Sequence, residues 1–261
     1  MLSKLLKYDY RWINKTMYIY FFILFVISIF LKIVNNLDQT FFIMILDRIM
    51  FSLFISAIIT VIINLMMRVW ARITTNLYRD ESYLTHTLPV EKSKLYDAKV
   101  IAMILSTLLS LLVIVLCFAL VYLDKTGITY IKDMYNTSVD LYGTTSVILI
   151  IIGTVVLVIL EFLSMMFSGV FGIIVGHRAN NHKVVKSIAC GLLSYWALSM
   201  TCLVMLKVIS SIYNIDIIST EIPTLHIFKT VLFISLLIYL VCDILLYLSG
   251  KIIFKKGVNI D

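Results

Sequence analysis

Residues 68–99 read RVWARITTNLYRDESYLTHTLPVEKSKLYDAK and form a polar segment between two long apolar runs. Connections in helix bundles are usually about 2–8 residues long, so this segment is several times longer than a simple turn needs. Leu88-Pro89 interrupts it, because proline lacks a backbone N–H and drives the residue before it out of the helical conformation. The segment is therefore predicted to fold as a helix, a break and a second helix. An ordinary solvated loop is the alternative.

Charged residues mark the ends of these two helices. Asp80 and Glu81 favour the start of a short helix before Pro89, because acidic side chains are stabilised in a first turn. Glu91 and the lysines after it open a second helix that continues into the next apolar run. Apolar side chains recur among the charges, which favours an elbow that contacts another protein. These apolar residues are Trp70, Leu77, Tyr78, Tyr83, Leu84 and Leu88.

Outside this segment the chain is much more apolar than a soluble protein. Hydrophobic residues make up 61% and charged residues 14% of its 261 residues, with a mean hydropathy of +1.03; soluble domains average about 45–50% and about 25%. Apolar runs near the roughly 20 residues that a membrane-spanning helix needs recur along the chain. A large soluble helical core does not explain them, and a β-barrel would alternate in segments of about ten residues. The fold class is therefore predicted to be an all-α membrane protein with six transmembrane helices, over residues 16–34, 49–69, 101–123, 144–175, 188–209 and 229–249.

Basic residues decide the predicted orientation. Sixteen of the 22 Lys and Arg residues fall in the N-terminus, the second loop, the fourth loop and the C-terminus, whereas the other loops are acidic. The positive-inside rule then places both termini and residues 68–100 in the cytosol. This topology and attraction to anionic membrane lipid explain the net charge of +7 without a nucleic acid partner.

The whole chain, residues 1–261, is predicted to be a single transmembrane domain. Residues 1–15 mix leucines with lysines and tyrosines, as an amphipathic helix in the cytosolic interface does; a plain charged tail is the alternative. Residues 124–143 are expected to be a short solvated connector, and residues 210–228 an extracellular loop that can dip back into the outer leaflet as short helices. The fourth span is longer than a bilayer requires, so it is expected to tilt, protrude or break, with Gly153 as the candidate break.

The fourth span carries a carboxyl group and a stripe of small residues. Glu161 is costly in an apolar environment, so it is expected to face the bundle interior or water. It then lines a translocation path, contacts a partner chain across a dimer, or is hydrogen-bonded within the bundle. Asp243 in the sixth span has the same options, and its side chain is also placed to extend to the membrane surface. The small residues recur every four positions and let another helix approach closely; they are Ser164, Ser168, Gly172 and Gly176.

The motifs of common catalytic and metal sites do not occur in the sequence. There is no G-x-x-x-x-G-K-[ST] phosphate loop, no H-E-x-x-H and no G-x-S-x-G. The four cysteines lie in apolar runs without CxxC spacing, so no metal or redox site is expected. His177 and His182 have basic neighbours, which favours a second cytosolic contact or an anionic-lipid patch over a metal site. Simple topogenic charge is the alternative. The chain itself is therefore expected to be no enzyme and to bind no cofactor.

Residues 77–106, LYRDESYLTHTLPVEKSKLYDAKVIAMILS, resemble the segment after the second span of bacterial ABC-2-type ABC exporter permeases. Those chains have a D-E-x-Y-L-T-x-T-L-P-V stretch, followed by K-L-x-x-A-K on entry to the third span. Family members often have glycine at the position of Ser82 and an apolar residue at that of His86. The matching residues here are Asp80, Glu81, Tyr83, Leu84, Thr85, Thr87, Leu88, Pro89, Val90, Leu95 and Lys99.

The resemblance implies a half-transporter in the bacterial cytoplasmic membrane. It would pair with a second permease chain, as a homodimer or heterodimer, and with two separate ATPase subunits that hold ATP and Mg. Residues 68–100 would contain the coupling helix that inserts into a cleft on the ATPase. Mostly apolar walls and short outer loops favour an amphipathic cargo, such as an antimicrobial peptide or a lipid-like molecule. The expected coupling residues are Asp80, Glu81, Tyr83, Leu84, Thr85, Leu88 and Pro89.

Two other functions fit a polytopic membrane protein. A secondary carrier would have inverted repeats and broken helices at matching positions in two halves, and the sequence has no such internal match. A non-transporting sensor or scaffold would use the same elbow to dock a signalling partner. The sequence does not separate this second alternative from the exporter.

Overall fold

The computed structural model describes residues 2–38, 40–79, 81–87, 89–179, 181–213 and 225–256, and every regular element in those ranges is an α-helix. The sequence-based prediction of an all-α protein is confirmed. The helices are α1 (Leu2–Asn35), α2 (Phe41–Tyr78), α3 (Ser82–Thr87), α4 (Lys92–Tyr122), α5 (Lys125–Tyr142), α6 (Thr144–Gly176), α7 (Lys183–Tyr213) and α8 (Leu225–Lys255).

Six of these helices are long and apolar enough to cross a membrane: α1, α2, α4, α6, α7 and α8. The shortest of them has 31 residues, which at about 1.5 Å per residue is roughly 46 Å, against about 30 Å of hydrocarbon. Their outward faces carry large apolar side chains such as Phe22, Val115 and Leu192, as lipid-facing surfaces do. The chain is a multi-pass membrane protein with six candidate spans, as predicted. The orientation of its termini stays a prediction.

The predicted elbow between the second and third spans is confirmed in its secondary structure. α2 ends at Tyr78, the short helix α3 follows, and α4 begins at Lys92. The N–H of Thr85 donates to the carbonyl oxygen of Glu81 at 3.0 Å. Beyond Pro89, the N–H of Lys94 donates to the carbonyl oxygen of Glu91 at 2.9 Å and opens α4. α3 and α4 are therefore separate helices with Pro89 between them, as the sequence predicts.

Three predicted boundaries need correction or extension. Residues 125–142, within the expected solvated connector, form helix α5, whose first turn is capped where the N–H of Gly127 donates to Asp124 Oδ1 at 2.7 Å. α6 runs unbroken past Gly153, where an added Cβ would lie 2.4 Å from Leu232 Cδ2, so this glycine admits a neighbouring helix and makes no break. Residues 2–15 are helical but continue into the first span without interruption; their interfacial placement stays a prediction.

Two compact units make up the chain: Met1–Thr75 with Pro89–Met134, and Asn76–Leu88 with Tyr135–Asp261. In the first unit, α1 packs along α4. The buried residues of α1 alternate spacings of three and four, which is the heptad pattern of helices that pack side by side. They are Asn14, Met17, Phe21, Leu24, Ser28 and Leu31.

In the second unit, α6 packs against α7 and α8. An added Cβ at Gly172 would lie 2.5 Å from Gly191 N, and one at Gly176 would lie 2.3 Å from Ser187 N. The backbones of α6 and α7 are therefore closer than any side chain would permit. The predicted close approach at the small-residue stripe is confirmed, and the helix that approaches is α7 of the same chain.

Candidate functional site

The short helix α3 has one exposed apolar face and one buried polar face. Tyr83 is 75% exposed and Leu84 is 69% exposed. Ser82 and Thr85 are buried, and the hydroxyl of Thr85 donates to the carbonyl oxygen of Glu81 at 2.8 Å. The helix thus presents two adjacent large apolar side chains to the outside. This face, Tyr83 with Leu84, is called the elbow knob below.

The last turn of α2 holds α3 in place. Asn76 Nδ2 donates to Glu81 Oε2 at 2.7 Å, so the carboxylate of Glu81 is used within the elbow. Leu77 and Tyr78, the last two residues of α2, are buried. Pro89 is exposed. Of the predicted coupling residues, Asp80 and Leu88 lie outside the described residues, and a coupling role for the others stays a prediction.

A buried histidine supports the base of the elbow from the second half of the chain. The rings of Tyr78 and His177 are stacked, with centroids 4.3 Å apart. His177 Nδ1 donates to the carbonyl oxygen of Ile173 at 2.9 Å and lies 3.2 Å from Ser187 Oγ, so its ring orientation is fixed. His177 is therefore not on the surface of this loop, and the cytosolic contact or lipid patch stays a prediction. Its neighbours Arg178 and His182 are exposed.

A buried ion cluster lies in the first unit, and sequence reasoning missed its acid. Arg72 Nε donates to Asp9 Oδ1 at 2.7 Å, and Lys99 Nζ lies 3.3 Å from both oxygens of the same carboxylate. The ring of Trp12 contacts two guanidinium groups. Its centroid lies 4.8 Å from Cζ of Arg68 and 5.2 Å from Cζ of Arg72. The cluster joins α1 to α2 and α4, the helices that precede and follow the elbow in the chain. Asp9 is the only acid among the first 37 residues, and that isolation was the available signal.

The two carboxyl groups of the later spans have different surroundings. Glu161, near the middle of α6, is exposed on the surface of the unit rather than enclosed. Tyr195, Cys202 and Tyr239 lie within electrostatic range of it. Asp243 is 6% exposed, so its side chain is enclosed by the protein.

Asp243 instead pairs with the small-residue stripe. Ser164 Oγ donates to Asp243 Oδ1 at 2.5 Å and links α6 to α8. Ser168 Oγ, one turn along, is buried and has no hydrogen-bond partner in the structure. With Gly172 and Gly176, these residues are enclosed by α7 and α8 of the same chain. A role for them in a translocation path or a dimer contact stays a prediction.

Among the residues that the structure describes, no group of three or more His, Cys, Asp or Glu side chains is arranged to hold a metal ion. The four cysteines are free thiols. Comparison with known proteins adds no assignment: no family model, no curated protein and no solved structure matches the chain. The elbow, the ion cluster and the intramembrane carboxyls are therefore interpreted from their own geometry.

Proposed function

We propose that this chain is the permease subunit of an ATP-driven exporter of the ABC-2 type in the bacterial cytoplasmic membrane. Two ATPase subunits supply ATP and Mg, and a second permease chain completes the membrane part. The cargo is amphipathic, such as an antimicrobial peptide or a lipid-like molecule. The proposal goes beyond the six-span fold and starts from the segment that resembles this family.

The observation that carries the proposal is the geometry of the elbow. The exposed area of the elbow knob is apolar. Two adjacent large apolar side chains on a polar segment are typical of an anchor that fits a pocket on a partner. The knob stands on a short helix whose opposite face is buried and whose base is hydrogen-bonded. Such a helix loses little conformational freedom when a partner binds it, which favours binding.

The contacts of the elbow support a role in transmitting movement. Residues 76–88, which include the last three residues of α2, belong to the second unit, and the rest of α2 and all of α4 belong to the first. A push on α3 reaches α6 and α7 through the stack of Tyr78 on His177. Closure of the ATPases on ATP would in this way favour one arrangement of the spans over another, as alternating access requires.

A matched pair of tyrosine variants tests the proposal. Tyr83→Ser removes half of the elbow knob, and Tyr130→Ser removes a tyrosine of α5 that is similarly exposed, at 71%. The tagged full chain is purified from its native membrane in mild detergent, and co-purified proteins are identified by mass spectrometry and assayed for ATP hydrolysis. We expect a protein with a G-x-x-x-x-G-K-[ST] motif to accompany the wild type and Tyr130→Ser, and at least tenfold less of it to accompany Tyr83→Ser.

Two results contradict the proposal. If the wild-type chain purifies without any ATP-hydrolysing partner, the exporter function is contradicted and a self-sufficient carrier is favoured. A partner that binds through the elbow knob but hydrolyses no ATP favours a sensor or scaffold. Equal retention of an ATPase by both variants would place the contact away from α3.

A further inference from the structure

We infer that Asp243 is a proton-binding site inside the membrane. The group lies near the middle of α8, within one turn of the middle of a 31-residue helix, and is 6% exposed. Its Oδ1 accepts the hydroxyl of Ser164, and its Oδ2 is buried without any hydrogen-bond partner. This inference goes beyond the proposed function and does not depend on it.

The absence of a cation decides the protonation state. No Lys, Arg or His among the described residues pairs with Asp243, and Ser164 is the only polar side chain that interacts with it strongly. An ionised carboxylate is tolerated in an apolar interior only when it is paired or well hydrogen-bonded. One hydroxyl donor does not replace the water that the anion loses, so the carboxyl group retains its proton.

The titratable groups near Asp243 are all acids. Cys242 is its chain neighbour on α8, and Tyr239 lies one turn away on the same helix. From α6, Glu161 lies one turn before Ser164; from α7, Cys202 lies within interaction range of both Tyr239 and Cys242. Every one of these groups becomes negative when it loses a proton, so none of them would stabilise a negative Asp243.

A proton is the ligand that the packing allows. A metal cation would need several oxygen ligands around it, but this part of the second unit is closely packed: Ser168 is buried one turn from Ser164, and at Gly172 the backbones of α6 and α7 meet without side chains. A proton takes no volume. The unpartnered Oδ2 is the oxygen that would carry the proton, since Oδ1 accepts the hydroxyl of Ser164.

Proton binding sets the contact between α6 and α8. The neutral carboxyl group lies in the apolar interface and accepts the Ser164 hydroxyl. Loss of the proton would leave a buried anion, which must draw in water or a cation and so open the interface. The site therefore makes the packing of α8 on α6 depend on proton availability.

Infrared spectroscopy of the full-length protein in lipid vesicles tests this inference. A protonated carboxyl group has a C=O stretch that a carboxylate lacks, and it shifts when H₂O is replaced by D₂O. We expect this band at pH 7 in the wild type, its loss in Asp243→Asn, and its retention in Glu161→Gln. In Ser164→Ala the band should remain and move to higher frequency, because the C=O group loses its hydrogen-bond donor.

Three results overturn it. An Asp243→Asn spectrum identical to that of the wild type in the carboxylic region shows that Asp243 is ionised. Loss of the band on addition of Na⁺ at constant pH assigns the site to a metal cation. If Asp243→Asn does not fold, the wild type alone decides. A D₂O-sensitive band that disappears only as pH is raised supports the site. The absence of such a band at pH 7 rejects it.

Discussion

Two buried carboxyl groups, Asp9 and Asp243, have opposite electrostatic surroundings. Asp9 is contacted by the guanidinium of Arg72 at 2.7 Å and the ammonium of Lys99 at 3.3 Å. Asp243 is contacted by the hydroxyl of Ser164 at 2.5 Å and leaves one oxygen unpartnered. The two residues are buried to a similar extent: Asp9 is 3% exposed and Asp243 is 6% exposed. The first acid holds three helices together by charge, and the second joins two helices as a neutral group.

The difference follows from position along the helices. Asp9 lies in the first third of α1, Arg72 near the end of α2 and Lys99 near the start of α4, where long basic side chains are common in a membrane protein. Asp243 and Ser164 lie in the interior of long apolar helices, where a cation is as costly as an anion. The contact of Asp9 near the helix ends is therefore made by ion pairs, and that of Asp243 inside the spans by a serine hydroxyl.

Asp9→Ala should have the largest effect, because it removes the carboxylate that contacts two buried cations. Breaking a buried ion pair from one side typically costs about 3–5 kcal/mol. Unfolding of the purified protein in mixed micelles, with denaturant, measures the loss. The control is Asp38→Ala, because Asp38 is exposed and such changes stay within about 0.5 kcal/mol.

A double variant separates charge from packing in the same cluster. Lys99→Met on the Asp9→Ala background removes one of the two cations that Asp9 contacts and keeps most of the side-chain volume. We expect it to regain about 0.5–3 kcal/mol, the usual coupling between groups in direct contact. If Asp9→Ala costs less than about 1 kcal/mol, or if the second change regains nothing, the cluster is not an ionic anchor.

Gly176→Ala should have the next largest effect and tests the second unit, where packing replaces charge. The new methyl carbon would lie 2.3 Å from Ser187 N, and backbone is unable to move aside as a flexible side chain does. Overpacking of this kind costs about 1–3 kcal/mol. Gly191→Ala is the matched control, because its nearest neighbour, Ser168 O, is 3.4 Å away. Equal losses in both variants would contradict a role for close approach at Gly176.

The fold was largely predictable because its signals are local. Long apolar runs, the distribution of basic residues and Pro89 suffice to predict six spans and a helix–break–helix elbow. The stripe that includes Gly172 and Gly176 also predicts a close helix neighbour, since only glycine removes the side chain between two backbones. Helix α5 was missed because residues 125–142 are too polar to cross a membrane and were therefore assigned to a loop.

The candidate site was predictable only in part because its contacts are long-range. Asp9 lies 63 residues from Arg72 and 90 from Lys99, so no local pattern joins them. The stacking of Tyr78 on His177 likewise joins distant segments. For Glu161, the cost of an acid in an apolar run predicts that it faces the bundle interior or water, and the structure exposes it on the surface of its unit. Sequence indicates which residues are unusual, but not which face of a packed helix they occupy.

Asp243→Asn should have the smallest effect of the set, and it makes the comparison sharpest. An amide has the shape of a neutral carboxyl group and still accepts the Ser164 hydroxyl, so the α6–α8 contact survives. Side-chain hydrogen bonds between membrane helices average about 0.6 kcal/mol, with a maximum near 1.7; Ser164→Ala should lose about that amount and Asp243→Asn less. Asp9→Asn, measured in the same micelles, should cost several times more because an amide carries no charge to balance Arg72 and Lys99. If the two Asn variants lose equal stability, the two acids are in the same charge state, and the contrast between an ionic anchor and a proton-binding contact fails.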